Sequence, residues 1–307
     1  VSGTTNPVTG AAVTAAKTIT AAFADTTKPV PTISGGTTLK STGQSLTLKC
    51  TDGVGVTAYY WGTTAPTAAT SMTTTTSADL TSLQGDGLSK TGVTNGTYYL
   101  GCRDAAGNFA KKSITIVSYT INNLLEKIAG TTGTYTSANY ASASSNTYIV
   151  KSGTSLTLAS VYTIPTGSNA SNFKGYSTTY GTSAATLSTT APNAASGTTY
   201  YMWFNRITYA VTVTKPTNGS IKAETVTKTG NSVTASTAAA SLTVKYGDTV
   251  KGTATANTGY TFTGWSGGYL TANTTNPSTG AAVTADKTIT GSFAAKTYTI
   301  TLNNNSA

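Results

Sequence analysis

At 307 residues the chain is long enough for two to four domains with cores of their own, and only 9% of it is charged while roughly a quarter is threonine. The absence of histidine removes the usual general base, proton shuttle and commonest metal ligand, and with Glu126 and Glu224 as its two glutamates a paired-carboxylate glycosidase would have to rely on aspartate. The net charge of +10 is spread over mostly single lysines rather than gathered with aromatics on one face, which argues against a dedicated nucleic-acid surface.

Threonine is β-branched and stiff at χ1, so a chain this rich in it, with Gly, Asn and Ser supplying turns, reads as all-β with many short strands. The first recognisable element is a repeat. Thr4–Ala24, TTNPVTGAAVTAAKTITAAFA, returns without a gap as Thr274–Ala294, TTNPSTGAAVTADKTITGSFA, and differs only at Val8/Ser278, Ala16/Asp286, Ala21/Gly291 and Ala22/Ser292.

From Asp25 to Ser118, strands are expected at LTLKC (46–50), TAYYW (57–61), TYYLGC (97–102) and SITIV (113–117). Leu46, Leu48 and Cys50 share one parity, as do Tyr98, Leu100 and Cys102, so both cysteines face a core. Trp61 follows the first cysteine, and the turn DAAGN (104–108) follows the second. The residues alone leave two buried free thiols as an alternative to a bond. This arrangement resembles a bacterial immunoglobulin-like sandwich, with a departure at Leu100, where such domains place a tyrosine. The resemblance implies a Cys50–Cys102 disulfide packed against Trp61, and an oxidised pair implies an extracellular location.

From Tyr119 to Ile207 the order is YTI, then NNLLEKIAG (122–130), read as the chain's candidate for a short helix or 3₁₀ turn, then TYIVKSGTSLTLASVYTIP, FKGYST (173–178) and TYYMWFN (199–205). The Lys-Ser-Gly turn, the Leu-x-Leu, the Gly-Tyr strand and the terminal TYY-x-W-F strand resemble internalin-type B repeats, small β-grasp-like modules of bacterial surface proteins. From Tyr209 to Thr297, YAVTVTKPTNGSI, SLTVKYGDTVKGTATANTGYTFTGWSG and VTADKTITGSFA are similar to the divergent form of that repeat. Thr274–Ala294 is then the closing third of a complete module, and Thr4–Ala24 the same third of a preceding one. YTITLNNNSA (298–307) reads as the opening strand of another. The expected fold is therefore all-β, a tandem array of small β modules with incomplete modules at both ends. Its divisions are residues 1–25, an Ig-like sandwich at 26–118, β-grasp-like B-repeat modules at 119–207 and 208–297, and 298–307.

The chemistry is sparse. Asp52, Asp86, Asp104 and Asp248 fall at turns, where carboxylates cap backbone groups. Asp52, Asp86, Asp104 and Asn108 could supply oxygens to calcium, but no continuous acidic loop supports this, and no metal or cofactor is assigned. Two core-facing cysteines without histidine do not make a zinc site. Isopeptide or ester cross-links have no local motif, with Gln44 and Gln84 the two glutamines. Trp61, Trp203 and Trp265 lie in strand motifs and are expected in cores. The pairs Tyr59-Tyr60, Tyr98-Tyr99 and Tyr200-Tyr201 must split between sheet faces, which leaves Tyr60, Tyr99 and Tyr201 as candidates for an outward ligand platform.

The expected function is a non-enzymatic structural or adhesive segment of an extended bacterial surface protein, a stalk or fibre located outside the cell. One alternative is a subunit of an extracellular filament with strand complementation between chains, and another is a module binding a carbohydrate or host receptor. The expected partners are neighbouring modules or adjacent copies, a host glycan or receptor, or an anionic cell-wall polymer. Nucleic acid is not expected, and no apolar run is long enough for a membrane span.

Overall fold

The computed structural model describes residues 4, 6–7, 9–131, 133–157, 162–180, 187–270 and 274–303. Among the described residues the regular structure is nearly all β-strand, and the chain divides into two compact units. One comprises Val1–Thr38 and Thr42–Ile116; the other comprises Leu39–Ser41 and Val117–Ala307. No helix among the described residues is long and apolar enough to cross a membrane.

In the first unit, β1 (Val30–Gly35), β2 (Gln44–Thr51) and β4 (Leu88–Val93) form a three-stranded antiparallel sheet with β2 in the middle. Leu46, Leu48 and Cys50 of β2 are buried, as period two requires, while Ser45, Thr47 and Lys49 are not. A second sheet pairs β3 (Val56–Gly62) with β5 (Gly96–Asp104), and β5 with the first half of β6 (Phe109–Glu126). Val56, Ala58, Leu100, Cys102, Ile114 and Ile116 are among its buried residues. One helix, α1 (Ser77–Gln84), was not anticipated. Leu83 is its buried side chain, and the Gln84 amide clamps Val56, accepting from its N–H at 2.8 Å and donating to its carbonyl at 3.2 Å.

In the second unit, the latter half of β6 lies parallel to β9 (Thr199–Phe204), with β8 (Phe173–Ser177) antiparallel on the other side of β9 and β7 (Tyr140–Lys151) pairing with β6. This overturns the helix expected at 122–130. Asn122–Leu125 register with Tyr201–Phe204 along the parallel ladder, so sheet pairing overrides the helix preference of Leu-Leu-Glu-Lys. Tyr119, Ile121, Val150, Leu156, Met202 and Phe204 form a core on one face, and Leu124, Tyr140 and Trp203 cluster on the other. Part of the Leu-x-Leu expectation, Leu158 to Val161, lies outside the described residues.

The remainder of this unit consists of β10 (Thr208–Val213), β11 (Gly219–Thr225), β12 (Ser232–Ala235), β13 (Ala240–Lys245), β14 (Thr249–Ala256), β15 (Tyr260–Ser266), β16 (Ser278–Ala282) and β17 (Lys287–Ala295). They form two four-stranded sheets, β13-β10-β17-β15 and β12-β11-β14-β16. Val211, Val213, Ile221, Leu242, Val244, Val250, Trp265, Val283 and Ile289 fill their shared core. Each buried aliphatic side chain there is worth about 1.5–3 kcal/mol.

The repeated stretch has a defined job in this module. Asn276 clamps the Ala254 amide, accepting from its N–H at 2.8 Å and donating to its carbonyl at 2.7 Å. The Thr275 carbonyl accepts from the Trp265 indole at 2.8 Å. Val283 and Ile289 enter the core, and Asp286 Oδ1 accepts from the Ala210 N–H at 2.8 Å. In the first copy, the counterparts Val13, Ile19 and Phe23 are 75%, 77% and 94% exposed, so the same residues there have no core to enter among the described residues.

Candidate functional site

Cys50 and Cys102 are bonded, linking β2 of one sheet to β5 of the other across the core of the first unit, and both are fully buried. Period-two parity and the resemblance together had pointed to this pair.

The three tryptophans divide. Trp203 and Trp265 are buried in cores. Trp61 is a correction, because it is half-buried at the edge of β3 and stacks on Tyr98, ring centres 5.4 Å apart and 12° from parallel. Of the proposed platform residues, Tyr60, Tyr99 and Tyr201 are all half-buried. Tyr201 lies nearly parallel to the Tyr180 ring at 5.1 Å. Their neighbours Tyr59 and Tyr200 are buried, as the splitting of each pair between faces requires. Tyr98 is half-buried like Tyr99.

The most developed polar structure lies where β6 and β9 end and β10 begins. Arg206 lies two residues past the end of β9, and its Nη1 donates to Asp248 Oδ1 at 2.8 Å and to the Tyr246 carbonyl at 2.5 Å. Side-chain exposure is 2% for Arg206 and 1% for Asp248, so this pair is cut off from water. Beside it, Glu126, the last residue of β6, accepts from the Arg206 N–H through Oε2 and pairs with Lys245 Nζ through Oε1. Burial pushes the Lys245 ammonium below the usual lysine range, and its bond to Glu126 opposes that shift. Main-chain bonds complete the joint: Ile207 N to Gly167 O, Tyr246 N to Ile207 O and Val283 N to Asp248 O, each 2.8 Å.

The sequence reading missed this network and took Asp248 for a turn cap. Its members are far apart in the chain, 119 residues for Glu126 and Lys245. The available signal was scarcity. Arg206 is one of the chain's two arginines and Glu126 one of its two glutamates, and both sit at the ends of apolar strands.

Two other places gather charge. On the β11–β14 face a groove of about 440 Å³ is lined by Lys222, Lys228 and Lys251 around Glu224. In the first unit Asp25, Asp52 and Asp104 converge. Asp86 of the suggested calcium set is exposed beyond α1 and is not among them.

Residues 224–297 match the family model described as the divergent InlB B-repeat domain. The match runs from within β11 to the end of the β17 module. No curated protein matches the chain. Among solved structures, the Bacillus anthracis TIE protein is similar at 8% identity, with 88% of this chain and 59% of that one covered and a TM-score of 0.28. The major pilin protein T-13 from Streptococcus pyogenes is similar at 11% identity, with 58% of this chain and 96% of that one covered and a TM-score of 0.19. The chain thus spans 59% of the length of the TIE protein chain.

Proposed function

We propose that this chain is a non-enzymatic structural segment of an extended bacterial cell-surface protein, a run of β modules that carries load and holds other parts away from the envelope. In this reading residues 26–118 form an Ig-like module, and 119–207 and 208–297 form two B-repeat modules. The observation that carries it is the joint at Arg206. A module matched to the B-repeat family is fixed to the β6–β9 module by buried ion pairs and main-chain bonds rather than by a free linker. Such a joint passes tension from one core to the next, and modules that contact only their neighbours can extend end to end.

Two experiments test this. Antibodies against the whole chain should label intact cells that make it, and labelling confined to lysed cells would overturn the surface reading. Under a pulling force, residues 117–297 should rupture together rather than as two independent weak events.

A second reading has its own observation. Val13, Ile19 and Phe23, with Tyr298, Ile300 and Leu302 at 78%, 84% and 91% exposure, present the apolar residues of closing and opening strands to solvent. Tyr298, Ile300 and Leu302 correspond to Tyr209, Val211 and Val213 of β10, the strand that runs parallel to β17. Pairing between copies along these strands would build a filament. Light scattering over a concentration series decides it, since a chain that stays monomeric at high concentration does not polymerise this way.

A further inference from the structure

Three of the chain's nine acidic residues converge on one spot in the first unit. Asp25 precedes β1, Asp52 sits in the turn between β2 and β3, and Asp104 ends β5. One carboxylate oxygen from each lies within 4.8 Å of the other two. The chain carries 19 basic residues, yet the ion pairs among the described residues go to Asp248, Glu224 and Glu126, and none reaches this cluster.

Each carboxylate is half committed to the backbone. Asp25 Oδ1 accepts from Thr27 N at 2.9 Å, and Asp52 Oδ2 accepts from Val54 N at 3.1 Å. Asp104 is fully buried and takes the Asn108 N–H at 2.9 Å and the Asn108 Nδ2 at 2.8 Å. The same Nδ2 donates to the Asp25 carbonyl at 3.0 Å, which draws the segment before β1 onto the turn after β5. The remaining oxygens, Asp25 Oδ2 and Asp52 Oδ1, are both buried and receive no hydrogen bond from the described residues. Buried anionic oxygens without donors, close to a third carboxylate, are stabilised by a cation.

We propose that Asp25, Asp52 and Asp104 bind one calcium ion. The donors are hard anionic oxygens from three separate segments, without thiolate or imidazole, which selects a hard cation over transition metals. Calcium accepts irregular oxygen shells completed by carbonyls and water, whereas magnesium demands a near-ideal octahedron. A site with three carboxylates falls in the affinity range of extracellular modules, with Kd about 10⁻⁴–10⁻³ M. The bound ion ties the segment before β1 to two turns of the first unit, so it fixes how the chain enters that unit. Calcium binding does not depend on the surface-stalk reading and can fail or hold separately.

The test uses the whole chain, stripped with EDTA and dialysed. Titration calorimetry with CaCl₂ should give one site, and a few millimolar calcium should raise the melting temperature of the first unit. Asp25→Asn and Asp52→Asn should each weaken binding tenfold or more, while Asp86→Asn should bind as the parent does. Terbium luminescence on the same proteins reads occupancy without relying on stability, and circular dichroism shows that each variant is folded. No calcium-dependent heat or melting shift in the folded parent overturns the proposal, as does binding that survives both variants. Equal stabilisation by magnesium overturns the choice of calcium.

Discussion

Arg206 Nη1 and Asp248 Oδ1 meet at 2.8 Å with both side chains shut away from water, one residue following β9 and the other preceding β14. Arg206 Nε and Nη2 are also buried and find no acceptor among the described residues, so the pair is not fully compensated. A buried ion pair of this kind adds little net stability over an apolar pair, but losing one partner strands the other charge. Arg206→Ala should therefore cost about 3–5 kcal/mol. Arg206→Met combined with Asp248→Asn should recover most of that loss. Single-tryptophan variants keeping Trp203 or Trp265 report the two cores separately under guanidinium. Their transitions should coincide in the parent and separate in Arg206→Ala. Coincident transitions in Arg206→Ala would show that the joint does not couple the modules.

The disulfide closes a loop between residues 52 apart in sequence, across two sheets of the first unit. Replacing both cysteines by serine should cost about 4 kcal/mol on the chain-entropy estimate for that loop. Under force the effect is geometric. The bonded loop cannot extend, so the reduced protein should gain about 180 Å of contour length when the first unit opens. Equal lengths with and without reductant would mean the bond is not formed in the protein as made.

Where the alternation of apolar and polar residues was clean, the strands were legible, as at Leu46-Leu48-Cys50 and Tyr209-Val211-Val213, and the continuous apolar run of TYYMWF marked β9. Illegible elements were those decided by distant partners. NNLLEK carries good helix formers, yet Leu124 and Glu126 are buried in a strand because β9 lies alongside. Ser77–Gln84 forms a helix with Leu80 and Leu83 at helical spacing and Asp79 in the first turn, a signal masked by the threonine run before it. The joint and the carboxylate cluster were hidden for a related reason. Turn chemistry explains an aspartate locally, so Asp248 and Asp25 carry no mark in sequence of the groups that reach them from elsewhere.

Glu224 offers a pH measurement whose sign follows from its partners. It meets Lys222 at 2.8 Å and Lys251 at 3.1 Å. Hydrogen bonds from Lys222 and then Lys251 hold its carboxyl below the ordinary glutamate range, against a smaller opposing effect of desolvation. The folded value lies below the unfolded one, so the contribution is complete above about pH 4.3 and is lost as pH falls through the folded value. Carbon-detected NMR titration should place the Glu224 midpoint below that of a free glutamate. Lys222→Ala and Lys251→Ala should each move it upward, and 0.5 M salt should do the same, because the lysines are exposed. A midpoint unmoved by either substitution would mean the pairs do not persist in solution.

The two copies of the repeated stretch are not interchangeable in the seat that Thr274–Ala294 occupies. Ala16 stands where Asp286 accepts the Ala210 N–H, so that bond would be lost. Ala21 stands where Gly291 sits, and a Cβ there would lie 2.8 Å from Ile221 Cδ1 and 3.3 Å from the Phe262 ring, forcing both to give way. Placing the first copy's residues in the second, as Ser278→Val, Asp286→Ala, Gly291→Ala and Ser292→Ala together, should therefore destabilise the module by about 1–3 kcal/mol. Gly291→Ala alone should account for much of it, since the Ala210 amide is exposed and can turn to water. The physical point concerns assembly. A segment that fits the seat worse than the one already tethered there will not displace it, so exchange between copies at this module is disfavoured. A fourfold variant as stable as the parent, measured by denaturant midpoint, would make the copies equivalent and open that route to polymer.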